Sequence, residues 1–139
     1  MFFGIVATVG SYYVQTEELN LQIFIVSVPM GSLACAILAI NNLRDRAQDE
    51  LVGKRTMAVR LGDKGARALY ISLLIAAHLF ALLTFQPFAL LTLLALPLSA
   101  SLARSVWVGT SGAALIPLLA KTGKLQMLFA ALFALGLVL

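Results

Sequence analysis

Five apolar runs alternate with polar breaks along the chain. The first, at residues 2–14, is short for a membrane span, and a polar turn, Gln15-Thr16-Glu17-Glu18-Leu19-Asn20, follows it. The second run, 21–40, is close to the roughly 20 residues an α-helix needs to cross a bilayer. A polar stretch then covers 41–66. The third run begins near Ala66 and fades around Thr84, where Gln86-Pro87 makes an uncharged turn. The fourth covers 88–103 and stops at Arg104. Residues 105–124 are mixed, with Gly109, Gly112, Pro117, Lys121 and Gly123, and read as a connection before a last run from about Leu125. The pattern predicts an all-α fold: a polytopic transmembrane helical bundle of about five spans, forming one domain over 1–139. In the second run Gly31, Cys35 and Ala39 recur every four residues, a spacing that permits close helix approach and is also ordinary in membrane helices.

Composition strengthens this reading. Hydrophobic residues make up 61% of the 139 and charged residues 12%, whereas a soluble domain carries about 25% charged residues. So much apolar surface cannot be hidden inside a core this small, so the lipid bilayer is the expected solvent. Cys35 is the single cysteine and reads as a packing residue; no Cys/His cluster suggests zinc. The N-terminus lacks a basic region and a small-residue cleavage site, so it is not read as a secretory signal. It resembles the middle of a membrane helix, and the expectation is a piece of a longer protein.

The net charge of +4 is unevenly placed. Residues 44–67 hold 11 of the 16 charged residues and seven of the ten Lys and Arg. Arg104, Lys121 and Lys124 carry the rest of the positive charge, and the loops at 15–20 and 84–88 carry none. With alternating spans, the positive-inside rule puts 41–66 and 105–124 in the cytoplasm and the other two loops outside. The charge therefore speaks of membrane orientation, and no aromatic-interleaved basic stripe points to nucleic acid.

Chemistry is concentrated in the same polar stretch. If the second span continues as a helix beyond the apolar run, Asn41, Asp45 and Asp49 fall at i, i+4 and i+8 on one face. Like charges at this spacing disfavour a helix by about 0.2–0.5 kcal/mol and call for a compensating cation. Mg²⁺ suits the place, since it takes carboxylate and phosphate oxygens and keeps several waters. Asn41 and Asn42 can add amide oxygens. Arg46, Glu50 and Lys54, also spaced by four, read more simply as a solvated face with surface ion pairs. Gly53 can end the helix, and Thr56 can cap a short one that follows. Arg55 and Arg60, with Lys54, would then stand near the membrane surface with donors suited to phosphate. By spacing alone, a loop that only sets topology competes with a diphosphate site.

The full string is more specific. Asp45-x-x-x-Asp49, then Gly53, Arg55, Thr56 and Ala58-Val59-Arg60-Leu61-Gly62, closely resembles the second aspartate-rich motif of the UbiA superfamily of intramembrane prenyltransferases. Asn41-Asn42-Leu43-Arg44-Asp45 and Gly53-Lys54-Arg55-Thr56 resemble its menaquinone branch, which acts on 1,4-dihydroxy-2-naphthoate. So do Gly10-Ser11-Tyr12-Tyr13-Val14-Gln15 and Leu118-Leu119-Ala120-Lys121-Thr122-Gly123. The resemblance covers the whole chain but only about half of the family's nine-helix protein, from the fifth helix onward. It implies Mg²⁺-dependent transfer of a polyprenyl group from polyprenyl diphosphate to 1,4-dihydroxy-2-naphthoate with decarboxylation, in the inner membrane. It also implies that Asp45 and Asp49 are catalytic metal ligands, and that Arg55, Lys54, Arg60, Asn41 and Asn42 serve the diphosphate. The family's first aspartate-rich motif has no counterpart here, so the isolated chain is expected to be inactive without its N-terminal half. Another aromatic prenyltransferase of this superfamily, or a membrane scaffold or transporter piece, are the competing readings.

Elsewhere, His78 reads as a helix-packing or pore-facing residue more readily than as an acid or base. Tyr12, Tyr13 and Trp107 read as interfacial aromatics. Asp63 and Lys64 are expected to start the helix after Gly62.

Overall fold

The structure, a computed structural model, describes residues 2–139 and is helical throughout, with no strand among them. A π-helical segment, Phe2–Val9, runs into α1 (Gly10–Thr16). Then come α2 (Leu21–Leu51), α3 (Met57–Leu82), a tightly wound 3₁₀ segment Pro87–Ala95 leading into α4 (Leu96–Trp107), and a 3₁₀ turn Gly112–Leu115 leading into α5 (Ile116–Val138). Four of these units, Leu21–Leu51, Met57–Leu82, Pro87–Trp107 and Gly112–Val138, are long and apolar enough to cross a bilayer. The first apolar run forms the shorter helical stretch that precedes them.

Local chemistry accounts for the boundaries. Asn20 caps α2, its Oδ1 accepting the amide of Ile23 at 3.0 Å. At 1.5 Å per residue the 31 residues of α2 measure about 46 Å, against a hydrocarbon layer of about 30 Å. The helix therefore outruns the apolar run, and the polar residues from Asn41 onward ride on its extension. Gly53, at φ +73, ends the turn after α2 in a left-handed conformation that glycine adopts without steric cost. Thr56 caps α3 through Oγ1 and the amide of Val59 at 3.4 Å. Gly62 interrupts α3 with φ +70 and ψ −179, so a short helix is followed by a longer one that starts at Asp63. Of the polar stretch 41–66, only 52–56 is non-helical.

One boundary departs from expectation. The mixed region 105–124 is not a connection: α5 begins at Ile116 and contains Lys121, Thr122 and Lys124. Pro117 stands in its first turn, where the missing amide hydrogen costs nothing, so the proline starts the helix instead of breaking it. Only residues 108–111 join the end of α4 to the last helical unit.

The core gathers Leu33, Ala36, Ile40 and Leu43 of α2, Ala66, Tyr70, Leu74 and Ala77 of α3, Leu102 and Val106 of α4, and Leu125, Phe129 and Phe133 of α5. Alanines on the contacting helices keep the backbones near one another. Two glycines carry this to the limit. A Cβ on Gly4 would collide with the backbone of Gly31, and one on Gly136 would stand 2.5 Å from the carbonyl oxygen of Phe88. Gly31 thus seats the first segment against α2. Several interior polar side chains pair, although Ser32 Oγ and His78 Nδ1 have no hydrogen-bond partner among the described residues: Tyr70, fully buried, meets Thr122 Oγ1 at 2.8 Å, and Thr122 donates to the carbonyl of Leu118. His78 Nε2 lies 2.9 Å from Ser99 Oγ, and the imidazole meets the Phe129 ring edge-on at 5.1 Å.

Candidate functional site

The helical extension of α2 sets Asn41, Asp45 and Asp49 along one face, one turn apart. Each aspartate already holds a cation. Arg44 grips Asp45 with two parallel bonds, Nε to Oδ1 and Nη2 to Oδ2, both 2.6 Å. Asp49 is 6% exposed, and Lys54 Nζ reaches its Oδ1 at 3.2 Å. The left-handed turn at Gly53 makes this possible, because it folds the chain back and brings the Lys54 amide to the Asp49 carbonyl at 2.8 Å. Asp49 Oδ2 is buried without a hydrogen-bond partner among the described residues. An unsatisfied carboxylate oxygen in a buried place is costly, and positive charge brought to it offsets that cost.

Lys54 is solvated as expected, 64% exposed, but does not continue the Arg46/Glu50 helix face. Arg46 and Glu50 do pair at the surface, 3.6 Å apart, but the helix ends before Lys54 and the chain reversal delivers it to Asp49. Arg55, in the loop, and Arg60, on the short helix before Gly62, are exposed and form no ion pair among the described residues. The two asparagines part company. Asn41 borders a cavity of about 530 Å³, otherwise mostly apolar, with Ala34 and Leu38 below it on α2, Leu119 on α5 and Phe2 and Phe3 on the first segment. Asn42, about 100° further round the helix, borders a smaller groove against Met57, Leu69 and Leu73 of α3.

Two arginines that sequence reasoning left without a role are structurally prominent. Arg44 is one, because adjacent residues on a helix do not normally face each other and only its long forked side chain closes the distance. The other is Arg67, which is 4% exposed. Its guanidinium binds both oxygens of Asp63, at 2.6 and 3.0 Å, and donates to the carbonyls of Val106 and, at 3.0 Å, of Thr110. It ties the start of the longer α3 segment to the end of α4, which puts the connections 52–56 and 108–111 at the same end of the bundle.

Chemically, the site offers two carboxylates one helical turn apart, one with a free buried oxygen. Two cations are ion-paired to these carboxylates, two more form no ion pair among the described residues, and a mostly apolar cavity opens beside Asn41. Two carboxylates with a buried orphan oxygen fit a divalent cation of the Mg²⁺ type. No group of three or more His, Cys, Asp or Glu gathers among the described residues, so further ligands would have to be phosphate, water or residues outside them.

Comparison with known proteins bears on what such a set is for. The chain is 39% identical to the 1,4-dihydroxy-2-naphthoate octaprenyltransferase of Haemophilus influenzae over 100% of its own length and 47% of that protein. It is 41% identical to the Mycobacterium tuberculosis protein of the same name over 94% of the chain and 45% of that protein. It is 31% identical to UbiA prenyltransferase domain-containing protein 1 of Mus musculus over 99% of the chain and 40% of that protein. The chain thus spans under half the length of the curated relatives it matches. No solved structure matches it significantly. The model of the UbiA prenyltransferase family matches residues 1–113, which include the whole aspartate-bearing region, and the chain belongs to that family.

Proposed function

We propose that residues 41–60 form one wall of the active site of a 1,4-dihydroxy-2-naphthoate polyprenyltransferase. The enzyme would move a polyprenyl group from polyprenyl diphosphate to the naphthoate ring, with loss of diphosphate and CO₂. The observation that carries this reading is the pairing of exchangeable ion pairs at Asp45 and Asp49 with an apolar cavity that starts at Asn41. An isoprenoid diphosphate has that same division, a multiply charged head on an apolar chain. Relatives named for this activity support the choice of acceptor.

Asp45 and Asp49 would hold Mg²⁺, which when bound neutralises charge building on the departing diphosphate. Arg44 and Lys54, released from the carboxylates, turn their donors to phosphate oxygens, and Arg55 and Arg60 add charge from the exposed side. Forked donors suit this exchange, since a guanidinium fits phosphate as well as it fits carboxylate. Asn41 orients the head group where the polar face meets the apolar cavity, and Asn42 supports the helix from the α3 side. The aromatic carbon attacks as the allylic C–O bond breaks; the leaving electron pair stays with the diphosphate, and the carboxylate leaves as CO₂. We place this end of the bundle in the cytoplasm and the protein in the inner plasma membrane, on the distribution of Lys and Arg.

The test is Asp45→Asn and Asp49→Asn, each in a full-length enzyme assayed for prenyl transfer in membranes. Transfer should fall by on the order of 100-fold or more, because a metal-held leaving group is worth several kcal/mol. Undiminished transfer in both variants refutes the assignment. A second carboxylate motif must come from outside residues 1–139. These residues expressed alone should therefore insert in membranes without turnover, and robust prenylation by them would contradict the half-site reading.

A further inference from the structure

Between α4 and α5, at the end of the bundle that also bears the aspartates, lies a groove of about 220 Å³. Ser101 and Ser105 line it from α4, and Lys121 and Lys124 from α5, with part-exposed Leu98 and Leu118 as apolar walls over buried Leu102. The serines are one helical turn apart and the lysines three residues apart, so each pair shares a face. Ser105 Oγ is committed to the carbonyl of Ser101 at 2.8 Å, whereas the Ser101 hydroxyl makes no hydrogen bond among the described residues.

The charge here is unanswered within the chain. Residues 68–139 contain no Asp or Glu, yet hold Arg104, Lys121 and Lys124, and neither lysine forms an ion pair among the described residues. The nearest acid in sequence, Asp63, is occupied on both oxygens by Arg67. Among the described residues these lysines are left open to an external anion. Lys121 and Lys124 lie about 8 and 12 Å along α5 from its first residue, Ile116. Lysines this near the start of a membrane helix can lay their stems along apolar walls and bring their ammonium groups to the polar boundary of a bilayer. A basic groove between membrane helices at this level fits a lipid phosphate.

We propose that the groove between α4 and α5 binds an anionic phospholipid. Lys121 and Lys124 hold its phosphate, Ser101 donates a hydrogen bond, and an acyl chain lies against Leu98 and Leu118. Apolar walls beside the cations distinguish this occupant from a free phosphate. The inference is independent of the transfer reaction, since none of these residues belongs to the aspartate site.

The chain can be reconstituted in phosphatidylcholine vesicles containing spin-labelled phosphatidylglycerol or spin-labelled phosphatidylcholine, and the immobilised lipid fraction measured by electron paramagnetic resonance. The wild type should immobilise phosphatidylglycerol selectively. Lys121→Gln with Lys124→Gln should lower that selectivity by about 30-fold, the effect expected from two interfacial cations. The corresponding double substitution to Arg should keep it, as should Lys64→Gln, which removes a cation elsewhere on the same end. Equal immobilisation of both lipids by the wild type, or selectivity surviving the double Gln substitution, overturns the proposal. An equal loss in Lys64→Gln would replace a site by diffuse surface potential and also overturn it. Displacement of the labelled lipid by micromolar inorganic diphosphate would reassign the groove to a soluble anion.

Discussion

Residues 41–67 and residues 68–139 treat charge in opposite ways. The first region contains four carboxylates, Asp45, Asp49, Glu50 and Asp63, and each is ion-paired to a neighbour on its own helix or the adjoining loop. The second contains three cations and no carboxylate, and its interior polar groups are uncharged hydroxyls and an imidazole. In the first region every carboxylate has a cation, and Arg55, Arg60 and Lys64 are left over without an ion pair among the described residues, so the proposed site would meet a charged ligand with both paired and spare cations. The second region has no carboxylate to offer its cations and leaves them open to counter-charge from what surrounds it. Arg67 is where the two meet, since it is paired within the first region and spends its remaining donors on the backbone of the second.

Breaking that junction should have the largest effect on stability. Arg67→Met leaves the carbonyls of Val106 and Thr110 without their donor and Asp63 without its partner. We expect a loss of on the order of 3 kcal/mol, read as thermal or denaturant unfolding in detergent. An unchanged midpoint would mean that the two regions are held by packing alone. Gly136→Ala comes next, at about 1–3 kcal/mol in the same measurement. Its Cβ meets the Phe88 backbone, which cannot swing aside like a side chain. That variant tests whether the second region depends on close backbone contact where the first depends on charge.

Arg44→Gln sharpens the other side of the comparison. If Arg44 competes for Asp45, its removal should raise the affinity for a divalent cation several-fold, measured with Mn²⁺, while lowering the affinity for diphosphate. Both affinities moving in the same direction would argue against partner exchange. The smallest effect belongs to Arg46→Ala or Glu50→Ala, within about 0.5 kcal/mol, because their pair is exposed and 3.6 Å long.

The architecture was legible because lipid compatibility is written in composition and run length, and the polar residues that end each element use short-range chemistry. Gly53 stopping α2, Thr56 capping α3, and Asp63 starting a helix after Gly62 are all interactions within about four residues. The candidate site was legible in residue type for the same reason, since Asn41, Asp45 and Asp49 need only a continuous helix to share a face. What stayed hidden depends on longer reach or on one torsion angle. Arg67 meets Val106 across 39 positions, a contact no local pattern encodes. Lys54 left its expected face because a single left-handed glycine turned the chain. The start of α5 was obscured because Gly112, Pro117 and Gly123 have the composition of a loop. A proline in the first turn of a helix and a proline in a turn are indistinguishable without the hydrogen bonds around them.

Gly53 and Gly62 enclose eight residues, 54–61, that carry three of the site's cations: Lys54, Arg55 and Arg60. Of the eight, Ala58 alone is fully buried. A segment with few buried contacts, bounded at both ends by left-handed glycines, is expected to open at a low free-energy cost. Its amides should exchange with solvent well before those of the flanking spans. Early exchange there would mean that three of the candidate site's four cations ride on a segment that opens while the rest of the bundle stays folded.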